Sequence, residues 1–342
     1  MTGVLASIGL PELIAGIMVL ALNAYVLMGG ADFGGGAWDL LASGPRRAEQ
    51  RALIAKTIAP IWEANHVWLI VVVVTLFTAF PVAYGTIGTV LHLPLALMLI
   101  GIVLRGSAFV FRSSGTVPSE RRRWGRVFAF SSTIPPVLLG VVIGALATGD
   151  VGEAAARVAT GSFYDVYVAP WLAPFPITVG LMALALFAFL AAVYLTVEAS
   201  DEPVGEDFRR RAMAAGAVVF VLAFGALALA QREVPQIRTG LTAAPWGLAL
   251  HALTGAAAIT ALVSLWRRKY RVARLSAAAQ VSLILWGWAL AQYPFVIPPT
   301  LTIRQAAAPG VTLKLLLVGL AIGSAVLIPS LVYLLRTFAR RA

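Results

Sequence analysis

The chain has 342 residues, 60% of them hydrophobic and only 12% charged, with a mean hydropathy of +0.89. Soluble domains carry about 25% charged residues, so this chain lacks the polar surface to cover a water-exposed globule and is expected in a lipid bilayer. Cysteine is absent, which excludes disulfides, thiolate metal sites, iron–sulfur ligation and thioether-linked haem; the net charge of +11 sits in short loops between apolar runs, which points to insertion bias and not to a nucleic-acid partner.

A spanning helix needs about 20 mostly apolar residues. Nine such runs are predicted along the chain, over 11–41, 55–80, 83–111, 126–148, 168–197, 211–230, 244–266, 276–297 and 312–336. Pro81 and Gly85 lie between the second and third runs, where a proline reads as a turn. Twenty of the 26 Lys and Arg residues fall after the odd-numbered spans, five fall on the other side, and Arg105 lies inside a span. By the positive-inside rule the N-terminus is outside and the C-terminus cytoplasmic. No loop is long enough for a soluble domain. The expectation is an all-α polytopic membrane protein, with a four-helix bundle over 1–148 and a bundle of about five helices over 149–342.

Ionisable groups inside a membrane are expensive and usually face a partner or a cavity. Here they gather in the first three spans: Asp32 and Asp39 in the first, Glu63, Asn65 and His66 in the second, Arg105 in the third. All lie toward the cytoplasmic ends. Asp32 and Asp39, seven apart, share a helical face, as do Glu63 and His66, three apart. Carboxylate, imidazole and amide groups in a row can pass protons inward, and the same groups can simply pair with Arg105. Gly29, Gly30, Gly34, Gly35 and Gly36 crowd the end of the first span. Gly30 and Gly34 form a small-xxx-small pair suited to close helix approach, and the glycine run equally suits a broken helix beside a cavity. The three histidines, His66, His92 and His251, offer too few axial ligands for several haems. The tryptophans fall mostly near span ends, as interfacial anchors do.

Two segments, Gly30-Ala31-Asp32-Phe33-Gly34-Gly35-Gly36 and Pro60-Ile61-Trp62-Glu63-Ala64-Asn65-His66-Val67-Trp68-Leu69, resemble subunit II of the cytochrome bd quinol oxidase family. Later segments agree in order: Pro135-Pro136 before Val137-Leu138-Leu139-Gly140, Ala173-Pro174-Phe175, and Tyr293-Pro294-Phe295-Val296-Ile297-Pro298. The resemblance implies a multi-pass protein of the prokaryotic cytoplasmic (inner) membrane that binds no haem itself. It implies a larger subunit I that carries haems b and d and oxidises quinol, the pair reducing dioxygen to water. A small single-span subunit, and a quinone or lipid bound between the helices, are compatible with it.

The same resemblance places Glu63 at the acidic position of a proton path, helped by Asp32, His66, Asn65 and Asp39. Trp62 and Trp68 are expected at the subunit interface, and Arg105 is expected to hold a carboxylate ionised or to fix packing. Some family members carry further acids where this chain has Gly29 and Val110, so their second proton route is not expected here. His66 stands where Glu or Gln is common. Two other readings stay open: a stand-alone proton-coupled transporter, and a purely structural assembly subunit.

Overall fold

The structure is a computed structural model; it describes residues 9–58 and 62–339, and the side chains of a few helical residues, Trp62 and Glu63 among them, lie outside that description. The chain is helical almost throughout, as its apolar runs require: in lipid every backbone N–H and C=O must be satisfied within the segment. Eight of the described helices are long and apolar enough to cross a bilayer, and a bent pair makes a ninth.

The first crossing is α1 (Leu10–Leu40), opened by Pro11 and by the Glu12 carboxylate accepting from Gly9 N–H at 2.9 Å. It runs unbroken through all five glycines. The polar helix α2 (Arg47–Ile58) precedes α3 (Trp62–Ala79). At Phe80 the chain turns through 115° into α4 (Pro81–Val90), because Pro81 cannot continue the hydrogen-bond ladder of α3. The third run therefore starts later than its composition suggests, as α5 (His92–Ser114). The fourth crossing is two stacked helices, α6 (Pro118–Ser131) and α7 (Ile134–Thr148), joined at Ser132-Thr133 just before the paired prolines.

Two short helices, α8 (Asp150–Ala156) and α9 (Phe163–Tyr167), lead to α10 (Pro174–Glu198). Then follow α11 (Glu202–Glu233), the short α12 (Pro235–Ala243), α13 (Pro245–Trp266) and α14 (Tyr270–Gln292). A two-stranded antiparallel hairpin, β1 (Phe295–Ile297) and β2 (Leu301–Thr302), interrupts the helical pattern before α15 (Ile303–Ala306) and the final crossing α16 (Gly310–Ala339).

The central helix is α10. It packs on α1, α7, α11 and α14, and its residues Leu186–Val193 supply much of the main core, with Phe33 of α1 and Phe128 of α6. Glycine makes these approaches possible. A Cβ on Gly34 would sit 2.0 Å from the Phe187 carbonyl oxygen, and one on Gly140 would sit 2.6 Å from that of Val179. A second core lies at the far end of α1, where Ile14 meets Ala79, Phe80 and the buried face of α4. By contrast, none of the apolar window of α16 is buried.

Candidate functional site

The polar residues singled out in the first three spans come together where α1, α3 and α5 meet. Asp32 and Arg105 are fully buried and form a direct ion pair. Two turns further along the same two helices, Asp39 accepts from Arg112 at 2.8 Å. The two pairs have the same sequence separation of 73 residues. Helices α1 and α5 therefore run in the same direction, bridged at two levels by side chains seven residues apart on each.

Arg105 is held from three sides. Its guanidinium carbon lies 4.6 Å from the Phe33 ring centre and 5.3 Å from that of Phe128. An apolar box of aromatic faces around a buried cation strengthens its attraction to the one carboxylate it touches. The pair is not saturated: Asp32 Oδ2 and Arg105 Nε have no hydrogen-bond partner among the described residues. Beside them Asn65 is fully buried, and neither its oxygen nor its nitrogen is bonded within the described residues. The Asn65 nitrogen lies 3.2 Å from where a Cβ on Gly29 would stand. In this chain the Asn65 amide thus fills the space beside the position where some family members carry an acid. His66 is half-buried and meets Phe33 edge-on, ring centres 6.1 Å apart. Val110, the other position of a family acid, is 47% exposed on the outside of α5.

Asp39 is surrounded differently. Arg51 Nε comes within 3.1 Å of its Oδ1, Arg51 also donates to the Asp39 carbonyl at 3.0 Å, and Arg112 takes the other carboxylate oxygen. The carboxylate is buried, whereas the two arginines keep 29% and 23% of their side chains exposed. Asp39 joins α1, α2 and α5 at the membrane edge. Asp39→Asn is expected to lower stability by about 1.5–3 kcal/mol, the range for hydrogen bonds to charged groups. A thermal unfolding series of the detergent-solubilised protein checks it, and an unchanged midpoint would remove Asp39 from this clamp.

The remaining expected residues separate. Gly30 and Gly34 lie against α10, where a Cβ on Gly30 would meet the Leu190 side chain at 2.5 Å. Gly36 gives room to Ser132. Trp68 is half-buried and packs on the main core, its indole N–H buried and unbonded among the described residues. The side chains of Glu63 and Trp62 lie outside the described residues; their backbone forms the first turn of α3. His92 and His251 stay apart from the cluster, each with Nδ1 at a carbonyl of its own helix region, 2.8 Å from Thr89 and 2.7 Å from Gly247. Among the described residues no group of His, Cys, Asp or Glu is arranged to hold a metal.

Sequence reasoning missed a second clamp. Arg46 grips Asp207 with two nitrogens, at 2.6 and 2.9 Å, and Gln50 donates to the same carboxylate at 2.8 Å. Arg211 donates to Gln50 at 2.8 Å and lies over Trp38. This lattice ties α2 to α11. Neither Gln50 nor Asp207 shows a pattern of its own, since each is one polar residue among several in a charged stretch of helix.

The family model for cytochrome bd terminal oxidase subunit II matches residues 10–338. The chain is similar to cytochrome bd ubiquinol oxidase subunit 2 of Bacillus subtilis (strain 168), 29% identical over 220 residues that cover 64% of this chain and 62% of that one. It is similar to cytochrome bd-I ubiquinol oxidase subunit 2 of Escherichia coli (strain K12), 28% identical over 220 residues that cover 63% of this chain and 54% of that one. The matched region thus spans less than two thirds of the length of either relative. The solved structure of bd oxidase from Geobacillus thermodenitrificans shares the fold, with TM-score 0.80 and 21% identity over 96% of this chain and 98% of that chain. With the motif order, the helix pattern and the match over nearly its whole length in agreement, the chain belongs to the cytochrome bd terminal oxidase subunit II family.

Proposed function

We propose that this chain is the haem-free subunit II of a bd-type quinol:oxygen oxidoreductase in a prokaryotic cytoplasmic membrane. Its N-terminus is outside and its C-terminus in the cytoplasm. It stabilises a larger haem-bearing subunit I and delivers protons from the cytoplasm. The observation that carries the reading is the meeting of Asp32, Arg105, Asn65 and His66 inside the membrane, one turn from the backbone of Glu63.

In this reading Glu63 takes up the proton. His66 shares its helix face three residues on, and its imidazole can both accept and donate a hydrogen bond. Arg105 pairs directly with Asp32 and fixes its carboxyl group in place. Asp32 is then a fixed acceptor that orients the path, and its free Oδ2 and the unbonded Asn65 amide offer hydrogen-bonding capacity to what passes. Asp39, bound by two arginines, keeps the helix ends together and does not carry protons. The haems, expected in subunit I, supply the oxygen chemistry. The separate surroundings of His66, His92 and His251 suit that division. The unburied face of α16, with open space above Gly319 and Gly323, suits contact with a second membrane chain.

A purely structural role is favoured by one observation: both Asp32 and Asp39 are already ion-paired. A transporter acting alone has less support, because among the described helix pairs only α3 and α4 form a sharply bent crossing, whereas such carriers break helices in both halves. Glu63→Gln in the assembled complex separates the readings. The expected result is at least a tenfold loss of turnover and proton uptake with normal yield, partly restored by Glu63→Asp. Lower yield with normal turnover would make the subunit structural. A colourless chain purifying without a larger partner would overturn the oxidase reading itself.

A further inference from the structure

The arginines on the proposed cytoplasmic face fall into two kinds. Around α10, α11, α13 and α14 four of them are paired: Arg274 with Glu198 at 3.3 Å, Arg268 with Glu202 at 3.3 Å, and Arg209 and Arg210 with Glu206 at 2.6 and 3.2 Å. At the start of α6 they are not. Arg121, Arg122, Arg123 and Arg126 are all exposed, and none reaches a carboxylate among the described residues. Arg121 donates only to the Gly115 carbonyl, at 2.6 Å. The one acid nearby is Glu120. Nor does the helix itself call for this charge, since its N-terminal end is already positive.

Four guanidinium groups within two turns, without a carboxylate partner among the described residues, concentrate positive charge that favours an anion from outside the chain. Their setting says what. Helix α6 continues directly into the fourth crossing, and exposed apolar side chains flank the arginines on both sides: Val110, Phe111 and Val117 before them, Phe130 after. Trp124 stacks on Phe111 with ring centres 4.8 Å apart, a ring pair of the kind that sits at headgroup level. Charge above and apolar surface below is the profile of one phospholipid whose phosphate faces the arginines and whose chains lie along the helix.

We propose that the start of α6 is a binding site for anionic phospholipid, its headgroup phosphate held by Arg121, Arg122, Arg123 and Arg126. The site is joined to the buried ion pair by one turn of helix. Phe128 of α6 is one of the two rings over Arg105, and Ser132 fills the space left by Gly36. Lipid bound there fixes the helix that forms one wall of the cluster.

The test uses the full chain purified with whatever subunits accompany it, exchanged into nanodiscs of phosphatidylcholine with or without phosphatidylglycerol. Lipid retained after return to detergent is counted by mass spectrometry. Each basic residue near an anionic surface contributes about fivefold in binding. The quadruple Arg→Gln variant at 121, 122, 123 and 126 is expected to lose phosphatidylglycerol enrichment by at least tenfold. The matched control, Arg210→Gln with Arg268→Gln and Arg274→Gln, three arginines already paired with carboxylates, is expected to keep it. If the quadruple variant does not accumulate, Arg122→Gln with Arg123→Gln, two fully exposed positions, is expected to lose enrichment by about the square of the single-residue factor. Undiminished enrichment in the variant that is obtained overturns the proposal. So does equal loss in the control, or release of the lipid by millimolar inorganic phosphate, which would assign the patch to free anions. An acidic segment of an accompanying subunit cross-linking to these arginines, in place of lipid, would overturn it as well.

Discussion

Arg105→Leu is expected to cost the protein about 3–5 kcal/mol, the penalty for leaving one charge of a buried pair without its partner. That is a large share of a typical total stability of about 5–15 kcal/mol, so little folded chain is expected to accumulate. The size follows from the setting. Asp32 is wholly buried, Arg105 is the one cation paired with it among the described residues, and the second Asp32 oxygen has no described donor. Asp32→Asn is expected to do similar harm, since it strands a guanidinium between the rings of Phe33 and Phe128. The decisive variant is the double change Asp32→Leu with Arg105→Met. Removing both charges together replaces the pair by apolar volume, and much of the lost stability is expected to return. Melting midpoints from light-scattering or size-exclusion profiles of the parent and the three variants give the answer. A double variant as unstable as the two single losses added together would show that the two charges do not act as a pair.

Gly34→Ala is expected to be nearly as damaging, for a different reason. The new methyl group would stand 2.0 Å from the Phe187 carbonyl oxygen, and a backbone atom of a packed helix cannot rotate aside. Helices α1 and α10 would have to separate where the main core is densest, at a cost of more than about 3 kcal/mol, the upper end for overpacking. Gly30→Ala should be milder, about 1–3 kcal/mol, because its obstacle is the Leu190 side chain, which has other rotamers. Gly16→Ala has open space and should fall within about 0.5 kcal/mol of the parent. The ranking Gly34, Gly30, Gly16 in one thermal series is the result to look for. A Gly34→Ala protein as stable as Gly16→Ala would mean that α1 and α10 do not approach so closely.

Much of this arrangement could be read from the residues. Apolar runs of bilayer length placed the crossings, because lipid leaves no alternative to helix. The clustering of Asp32, Asn65, His66 and Arg105 was also legible, because so few polar residues lie in those spans that their depths nearly determine their neighbours. The equal spacing of Asp32 with Asp39 and of Arg105 with Arg112 was visible too, and it marks two helices bridged at two levels; only the pairing made its meaning plain. Other features were not accessible in this way. Pro81 announced a turn, and its angle depended on α4 finding Ile14, Ala79 and Phe80 to pack against. The glycines of α1 left close packing and a broken helix equally open until α10 was seen to lie against them. The grip of Arg46 and Gln50 on Asp207 joins residues more than 150 apart, and nothing local encodes it.

The sharp bend after α3 has a consequence for the membrane around the protein. One end of that crossing is fixed at Phe80, where the backbone turns and α4 packs against the short helices α8, α9 and α15. Over its 18 residues, Trp62–Ala79, the helix rises about 27 Å at 1.5 Å per residue, close to a hydrocarbon thickness of about 30 Å. Because the bend fixes one end of α3, a bilayer thicker than the helix would have to thin beside it, a mismatch that costs a fraction of a kcal/mol per Å.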